Sequence, residues 1–156
     1  MIRRLAAGAV AALVVVAAVV GLVVWRHHDD KGPYAAYCDV VAQQRSLIAA
    51  ATGEGATTGL IAALPSFEAL QAKAPADIAD DWTTVITAIN GLVDALKAAG
   101  ADPASYDRNH PPAGMTPQQK GAIDAAATRL GSEETRTALA SVDQEARDVC
   151  HSPLML

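Results

Sequence analysis

Residues 78–96 decide the fold, and they read IADDWTTVITAINGLVDAL. Apolar side chains recur in this stretch every three or four residues, which is the spacing that places them on one face of an α-helix. The stripe is formed by Ile78, Trp82, Val85, Ile89, Leu92 and Leu96, and it is widened by Ile86 and Val93. Pro75 suits the first turn of such a helix, and Gly100 suits its end. The sequence therefore predicts an amphipathic helix over this segment, with the strongest apolar periodicity in the chain.

Two helices are predicted before this segment. The first is expected from about Pro33 to Thr52. Its inward face is predicted to be Tyr37, Val40, Val41, Leu47, Ile48 and Ala51. The second is expected to open at Thr57 or Thr58 as its N-cap and to carry Leu60, Ile61, Leu64, Phe67 and Leu70. Pro65 falls inside it, so this segment is either one kinked helix or two short ones.

Two more helices are predicted after a loop over residues 101–115. Thr116 is followed by Pro117 and, three residues on, by Gln119, which is a capping box with proline at the first helical position. Gly131 ends this helix, and Ser132 caps a last one. Because the connections are short and no strand pattern competes, we expect an antiparallel bundle of four or five helices over residues 34–156.

An uncharged run precedes the bundle, from Leu5 to Trp25. A helix of this length spans about 30 Å, the thickness of the hydrocarbon core of a bilayer. The run exceeds the usual apolar region of a signal peptide, about 7–15 residues, and offers no small residues at a cleavage position. We therefore expect residues 5–25 to be an uncleaved transmembrane signal anchor in contact with the lipid bilayer, followed by a polar stem over 26–33.

The charges flanking this run predict its orientation. Arg3 and Arg4 stand before it without acidic neighbours, whereas Arg26 and Lys31 after it are offset by Asp29 and Asp30. The positive-inside rule then keeps residues 1–4 in the cytoplasm and places the bundle outside the cell membrane, as a single-pass protein. From residue 32 onward eight Lys and Arg face fifteen Asp and Glu, a net charge of −7. A nucleic-acid partner is therefore not expected.

The two cysteines, Cys38 and Cys150, are expected to form a structural disulfide. An isolated pair in an oxidising compartment usually does so, and the wide spacing matches no zinc site. Cys38 lies near the start of the first predicted helix and Cys150 at the end of the last. The predicted fold is thus all-α, with an N-terminal transmembrane helix followed by a helical bundle closed by one disulfide.

Two groups of polar residues are candidates for contact with a ligand or partner. Asp77, Asp80 and Asp81 are spaced to share one helical face, where they could hold a basic partner or simply compensate the helix dipole. Tyr106, Arg108 and His110 bring mixed polar chemistry to the 101–115 loop, which could instead be a plain connection. No catalytic motif occurs, and no metal site or cofactor is predicted. We therefore expect a protein that is not an enzyme.

The residues also carry a family resemblance. The chain resembles small membrane-anchored or lipoprotein-like exported helical proteins of actinobacteria. The resemblance lies in the Arg3-Arg4 flank, the apolar anchor, the alanine-rich helices, the segment over residues 74–82 and the two cysteines. That group has no assigned activity, and Cys38 lacks the lipobox that many of its members have. A fainter similarity is to the disulfide-closed helical haem-binding proteins of mycobacteria, from which no ligand residue is transferred.

Two functions follow as hypotheses. The first is a non-enzymatic, membrane-tethered interaction or scaffold domain with a protein partner at the cell surface. The second is a helical protein that binds haem or another small hydrophobic molecule. The second hypothesis needs a real cavity lined by Leu and Ile, with Tyr106 or His110 at its mouth.

Overall fold

The computed structural model describes residues 32–53 and 55–155, and all regular structure in these ranges is helical. The five helices are Ala35–Thr52 (α1), Ala56–Gln71 (α2), Ala79–Ala98 (α3), Pro117–Leu130 (α4) and Glu133–Cys150 (α5). The helical bundle is therefore confirmed. The expected anchor over 5–25 lies outside the described residues. Within the ranges described, no helix combines the length and the apolar character needed to cross a membrane.

Helix α3 is the centre of the bundle and contacts α2, α4 and α5. The whole predicted stripe from Ile78 to Leu96 is buried. Trp82 is fully buried, and its ring centroid lies 5.7 Å from that of Phe67 on α2. Aromatic side chains bury large apolar areas, so this pair anchors the main core. The apolar stripe predicted over residues 78–96 is therefore confirmed as part of the core.

The start of α3 differs from the prediction. Residues 75–78 form a turn, in which the amide of Ile78 donates to the carbonyl of Pro75 at 3.3 Å, and the helix begins only at Ala79. This turn lets the Ile78 side chain enter the core, where it is 5% exposed. Asp80 and Asp81 lie in the first helical turn as expected, but Asp77 precedes the helix. The three aspartates therefore do not form one helical face.

Two expectations for α1 and α2 were wrong. Leu47 is 57% exposed, because the buried positions of α1 are Tyr37, Val41 and Ile48, and residue 47 lies about 100° around the helix from residue 48. Helix α2 begins after Gly55 rather than at a threonine cap. Pro65 lies inside α2 without dividing it, and its own side chain is exposed. The proline therefore interrupts one hydrogen bond of a continuous helix.

Two glycines are required by the backbone. A Cβ on Gly59 would lie 2.7 Å from the carbonyl oxygen of Ala51, so only glycine allows α2 to approach the end of α1 so closely. Gly100 has φ +65° and follows α3, where the amide of Ala101 donates to the carbonyl of Leu96 at 2.9 Å. Glycine is favoured in this left-handed conformation, and the predicted end of the helix is confirmed.

The last two helices start as predicted. Thr116 accepts from the amide of Gln119 at 3.2 Å, and the Gln119 side chain accepts from the amide of Thr116 at 2.9 Å. Ser132 accepts from the amide of Thr135 at 3.2 Å. Both caps satisfy amides that the helix itself leaves without a partner. Two residues, Gly131 and Ser132, connect α4 directly to α5.

The two ends of the bundle are joined covalently and by hydrogen bonds. Cys38 and Cys150 form a disulfide with a Cα–Cα distance of 5.2 Å, as predicted. Beyond it the chain folds back on α5, because an Asp143 carboxylate oxygen accepts from the amides of Leu154 and Met155 at 2.8 and 3.2 Å. Leu154 is 1% exposed as a result. The C-terminal tail thus closes the core beside the disulfide.

Candidate functional site

A second, smaller core lies beneath the 101–115 loop. Its buried members are Leu92, Leu96, Ala101 and Ile123, which come from α3, the loop and α4. Tyr106 and Met115 of the loop pack against it while remaining partly exposed. By contrast, residues 107–114 are all exposed. The loop is therefore fixed to the bundle through its two ends, and its middle faces solvent.

A cleft of about 220 Å³ opens beside this small core. It is lined by Thr57, Thr58, Ile61, Leu92, Leu96, Pro103, Tyr106, Arg108, Ile123, Asp124 and Ala127. An adjoining cavity of about 210 Å³ shares Thr57, Leu92 and Ala127 with it. The walls of both are mainly Leu, Ile and Ala, with a few polar groups from α2, α4 and the loop. This composition is typical of sites that bind small molecules.

The hydroxyl of Tyr106 is the unusual polar group of this cleft. Its oxygen is shielded from water and has no hydrogen-bond partner among the described residues. Leaving a buried donor without an acceptor costs about 1–3 kcal/mol. An acceptor atom brought in by a ligand would recover part of this free energy. Because the hydroxyl is shielded, such an atom reaches it only when the Tyr106 side chain shifts.

Charged side chains border the same cleft. Arg108 Nε lies 2.7 Å from one carboxylate oxygen of Asp124, and Lys120 Nζ lies 2.9 Å from the other. The hydrogen bond from Lys120 and the nearby Arg108 guanidinium hold the pKa of Asp124 below its ordinary value. Two cations thus share one carboxylate. Counting Lys120, which contacts Asp124 from outside the described lining, these three side chains carry a net charge of +1 in an otherwise acidic chain.

His110 does not belong to the cleft. Its side chain is 85% exposed, and Nδ1 lies 2.7 Å from a carboxylate oxygen of Asp107. The other oxygen of Asp107 accepts from the amide of Asn109 at 2.8 Å. The hydrogen bond with His110 lowers the pKa of Asp107 most, and the hydrogen bond from the Asn109 amide lowers it further. His110 therefore shapes the exposed part of the loop, while Tyr106 and Arg108 come together at the cleft.

The three predicted aspartates lie elsewhere. Asp77 is close enough to Glu145 on α5 to act on its charge. Burial and, to a lesser extent, repulsion by Asp77 and Asp148 raise the pKa of Glu145. This part of the surface therefore concentrates negative charge from α5 and from the turn before α3. It is distinct from the cleft, whose border is positive.

The described lining of the cleft contains few groups for acid–base chemistry. In the described ranges, no group of three or more His, Cys, Asp or Glu side chains is placed to hold a metal ion. Asp124 is the one carboxylate of the cleft lining, and two cations hold it ionised. A carboxylate kept charged in this way is a poor general acid at neutral pH.

Of the polar residues that line the cleft, Tyr106 and Arg108 are candidates from the sequence, but Thr57, Thr58 and Asp124 are not. Asp124 and Lys120 are four residues apart on α4, so their ion pair could have been found from the spacing. No comparable signal marks Thr57 and Thr58, because they reach the cleft only through the packing of α2 against α3. The loop residues were selected for their chemistry alone, and the structure separates Tyr106 and Arg108 from His110.

Comparison of this chain with models of protein families, with curated proteins and with solved structures finds no match. The resemblance to exported helical proteins of actinobacteria therefore stays a prediction. The function has to be argued from the site itself.

Proposed function

We propose that this chain is a membrane-tethered, non-enzymatic binding domain that holds a small, mainly apolar molecule in the cleft beside Tyr106. The observation that carries this proposal is a cleft walled by Leu and Ile in which a shielded tyrosine hydroxyl has no partner. An apolar cavity of about 150 Å³ is known to accommodate benzene. A volume of about 220 Å³ therefore suits a molecule of roughly a single ring with a short side arm.

This size favours a small molecule over haem. The haem macrocycle is several times larger than benzene, and the described lining of the cleft contains no His, Cys or Met. His110, a candidate ligand in the sequence, is exposed and paired with Asp107. The adjoining cavity behind Thr57 and Leu92 leaves room for a longer apolar body without changing the polar groups at the border.

In this proposal residues 5–25 span the cell membrane, with residues 1–4 in the cytoplasm and the domain from residue 34 outside. The uncharged run supports the span, and the arginines before it support the orientation. The Cys38–Cys150 disulfide supports the outer location, because such bonds persist in oxidising compartments. The polar stem over 26–33 then holds the domain close to the membrane.

The proposed topology predicts the outcome of a protease-protection experiment. Protease added to intact spheroplasts should digest a tag placed after the domain, because that tag lies outside, and should leave a tag before Met1 intact. Replacing Arg3 and Arg4 by Glu should weaken or invert this asymmetry, since the positive flank sets the orientation. Digestion of the N-terminal tag in the unmodified chain, or a mature protein that begins after residue 25, would contradict the topology.

Ligand binding can be tested by NMR of the full-length chain in lipid nanodiscs with ring-labelled tyrosine. The chain has only three tyrosines, at positions 34, 37 and 106. Addition of 2-phenylethanol, an apolar ring with a short polar arm, should shift the Tyr106 signal in a saturable way. The Tyr37 signal should stay in place, because that ring lies in the main core.

Two tryptophan variants of α4 give this experiment its control. Ala127→Trp fills the cleft, since Ala127 lines both cavities, and should abolish the shift of Tyr106. Ala122→Trp places the same side chain at an exposed position outside the described lining and should leave binding unchanged. The proposal fails if Tyr106 does not respond in the unmodified chain, or if both variants bind equally well.

A protein partner is the second candidate function. The observation that favours it is the negative surface around Glu145, whose pKa is raised by burial and, to a lesser extent, by the charges of Asp77 and Asp148. Asp80 and Asp81, in the first turn of α3, add to the acidic character of this part of the chain. A basic protein segment at the cell surface fits such a surface. Changing Asp77, Asp80 and Asp81 to Asn should weaken the binding of this partner without affecting ligand binding in the cleft.

A further inference from the structure

We infer that the molecule bound in the cleft carries a carboxylate, which lies between Arg108 and the first turn of α2 while its apolar body enters the cleft. This inference rests on the proposed function and specifies its ligand class. Three features of the described residues support it: the excess of cations at the border, an uncapped helix start, and apolar walls that leave no other place for a charge.

The cations at the border are only partly neutralised. Arg108 and Lys120 converge on the single carboxylate of Asp124, each on a different oxygen. The contact of Arg108 joins Nε to Asp124, and the guanidinium carries two further nitrogens that can donate to a second carboxylate. The Arg108 side chain is 68% exposed, so these nitrogens are accessible to a ligand. An anion at this position would balance the second cation.

The opposite border of the cleft also favours negative charge. Thr57 and Thr58 line the cleft from the first turn of α2, a helix of 16 residues. Its N-cap is Gly55, and within residues 32–53 and 55–155 no side chain caps the free amides of that turn. The N-terminus of a helix carries a partial positive charge, and the two threonine hydroxyls can donate hydrogen bonds. A carboxylate held here faces donors from both Arg108 and α2.

The remaining walls restrict where the charge can lie. Ile61, Leu92, Leu96 and Ile123 provide no group that could neutralise a carboxylate, and burying an unpaired charge is costly. The charged end of a ligand must therefore stay at the border, and only its apolar part can enter. A ligand with an amine instead would meet Arg108 and Lys120 and be repelled. The cleft thus selects a small apolar carboxylate over its neutral and cationic counterparts.

Three probes that share one apolar body test this selection. Phenylacetate, 2-phenylethanol and 2-phenylethylamine carry an anionic, a neutral and a cationic end on the same ring. Titrations of the full-length chain in nanodiscs at low ionic strength should show phenylacetate binding at least about fivefold tighter than the alcohol. The amine should bind more weakly than the alcohol. Added salt should reduce the preference for phenylacetate, because exposed charges are screened.

Two variants at the border should act in opposite directions. Arg108→Gln removes one donor and should bring the affinity for phenylacetate down to that for the alcohol. Asp124→Asn removes the carboxylate that competes for both cations and should make phenylacetate bind more tightly relative to the alcohol. Damage to the fold would lower the affinity for phenylacetate, so a gain of affinity in Asp124→Asn distinguishes the proposed role of Asp124 from such damage. Arg136→Gln, which breaks an exposed ion pair with Glu133 on α5, is the matched control and should change nothing.

The outcomes separate this inference from the proposed function. If the alcohol and the carboxylate bind equally and Arg108→Gln has no effect, the cleft binds ligands but the charge selection is wrong. A loss of phenylacetate affinity in Asp124→Asn would also overturn the selection. If none of the three probes binds, both the inference and the proposed function fail.

Discussion

Replacing both Cys38 and Cys150 by alanine is expected to lower the free energy of unfolding by about 4–5 kcal/mol. The disulfide closes a loop between residues 112 positions apart, so it removes a large amount of conformational freedom from the unfolded chain. Domains of this size are stable by only about 5–15 kcal/mol. The double variant should therefore be close to unfolding at physiological temperature.

Chemical denaturation of the full-length chain in a non-ionic detergent, with and without a reducing agent, measures this effect. The reduced unmodified chain should be destabilised to a similar extent as the double variant, because both lose the same covalent link. A second control is Arg45→Gln, which removes only the hydrogen bond between Arg45 and Ser152 at the same end of the bundle. A loss below about 1 kcal/mol in the double variant would show that the bundle does not depend on this link.

Alkaline pH is expected to weaken the fold through Tyr37. This side chain is 1% exposed, and burial, aided by the charges of Glu145 and Asp143, raises its pKa to about 12 from an ordinary value of 10.0. The indole of Trp82 opposes the shift, but neither the Tyr37 hydroxyl nor the Trp82 N–H has a partner in hydrogen-bond geometry. The core thus holds Tyr37 in its neutral form.

The direction of the effect follows from proton binding. Below pH 10 the tyrosine is protonated in both states, so its contribution to stability is complete. Between pH 10 and 12 the unfolded chain releases the proton first, and the free energy of unfolding falls by about 1.4 kcal/mol per pH unit. The loss due to Tyr37 is therefore about 2 kcal/mol when the pH reaches the folded pKa of about 12, and it approaches about 3 kcal/mol only at still higher pH.

Denaturation curves recorded at pH 8, 10, 11 and 12 for the full-length chain and for Tyr37→Phe isolate this contribution. Phenylalanine does not titrate, so the difference in stability between the two proteins should change by about 2 kcal/mol across this range. Tyr34→Phe, which alters an exposed tyrosine three residues earlier, should follow the unmodified chain. Parallel curves for Tyr37→Phe and the unmodified chain would mean that Tyr37 is not held neutral by the core.

The two cores have different roles: the main core stabilises the bundle, and the smaller core lies beside the proposed ligand site. Trp82, Phe67 and Tyr37 belong to the main core, where the side chains are fully enclosed. Leu92, Leu96 and Ile123 belong to the smaller core, which is only partly covered by the loop. Because α3 contributes to both cores, one amphipathic helix supports the bundle at its first turns and the proposed ligand site at its last turns.

The sequence by itself determined the helices and the disulfide. The spacing of apolar residues from Ile78 to Leu96 and the helix caps at Thr116 and Ser132 depend on neighbours three or four positions away, which the sequence displays directly. The pairing of Cys38 with Cys150 also followed, because the chain has only two cysteines. The start of α3 and the exposure of Leu47 did not, since both depend on how neighbouring helices meet.

The position and lining of the cleft depend on the tertiary structure. Thr57, Arg108 and Asp124 lie far apart in the chain, and they come together only because α2 and α4 pack on the same side of α3. The loop supplied Tyr106 and Arg108 but excluded His110, because Asp107 binds its ring in solvent. Local patterns fix helices through short-range hydrogen bonds, whereas a cleft is a space left between packed side chains. Its position is therefore a property of the assembled bundle and not of any one segment.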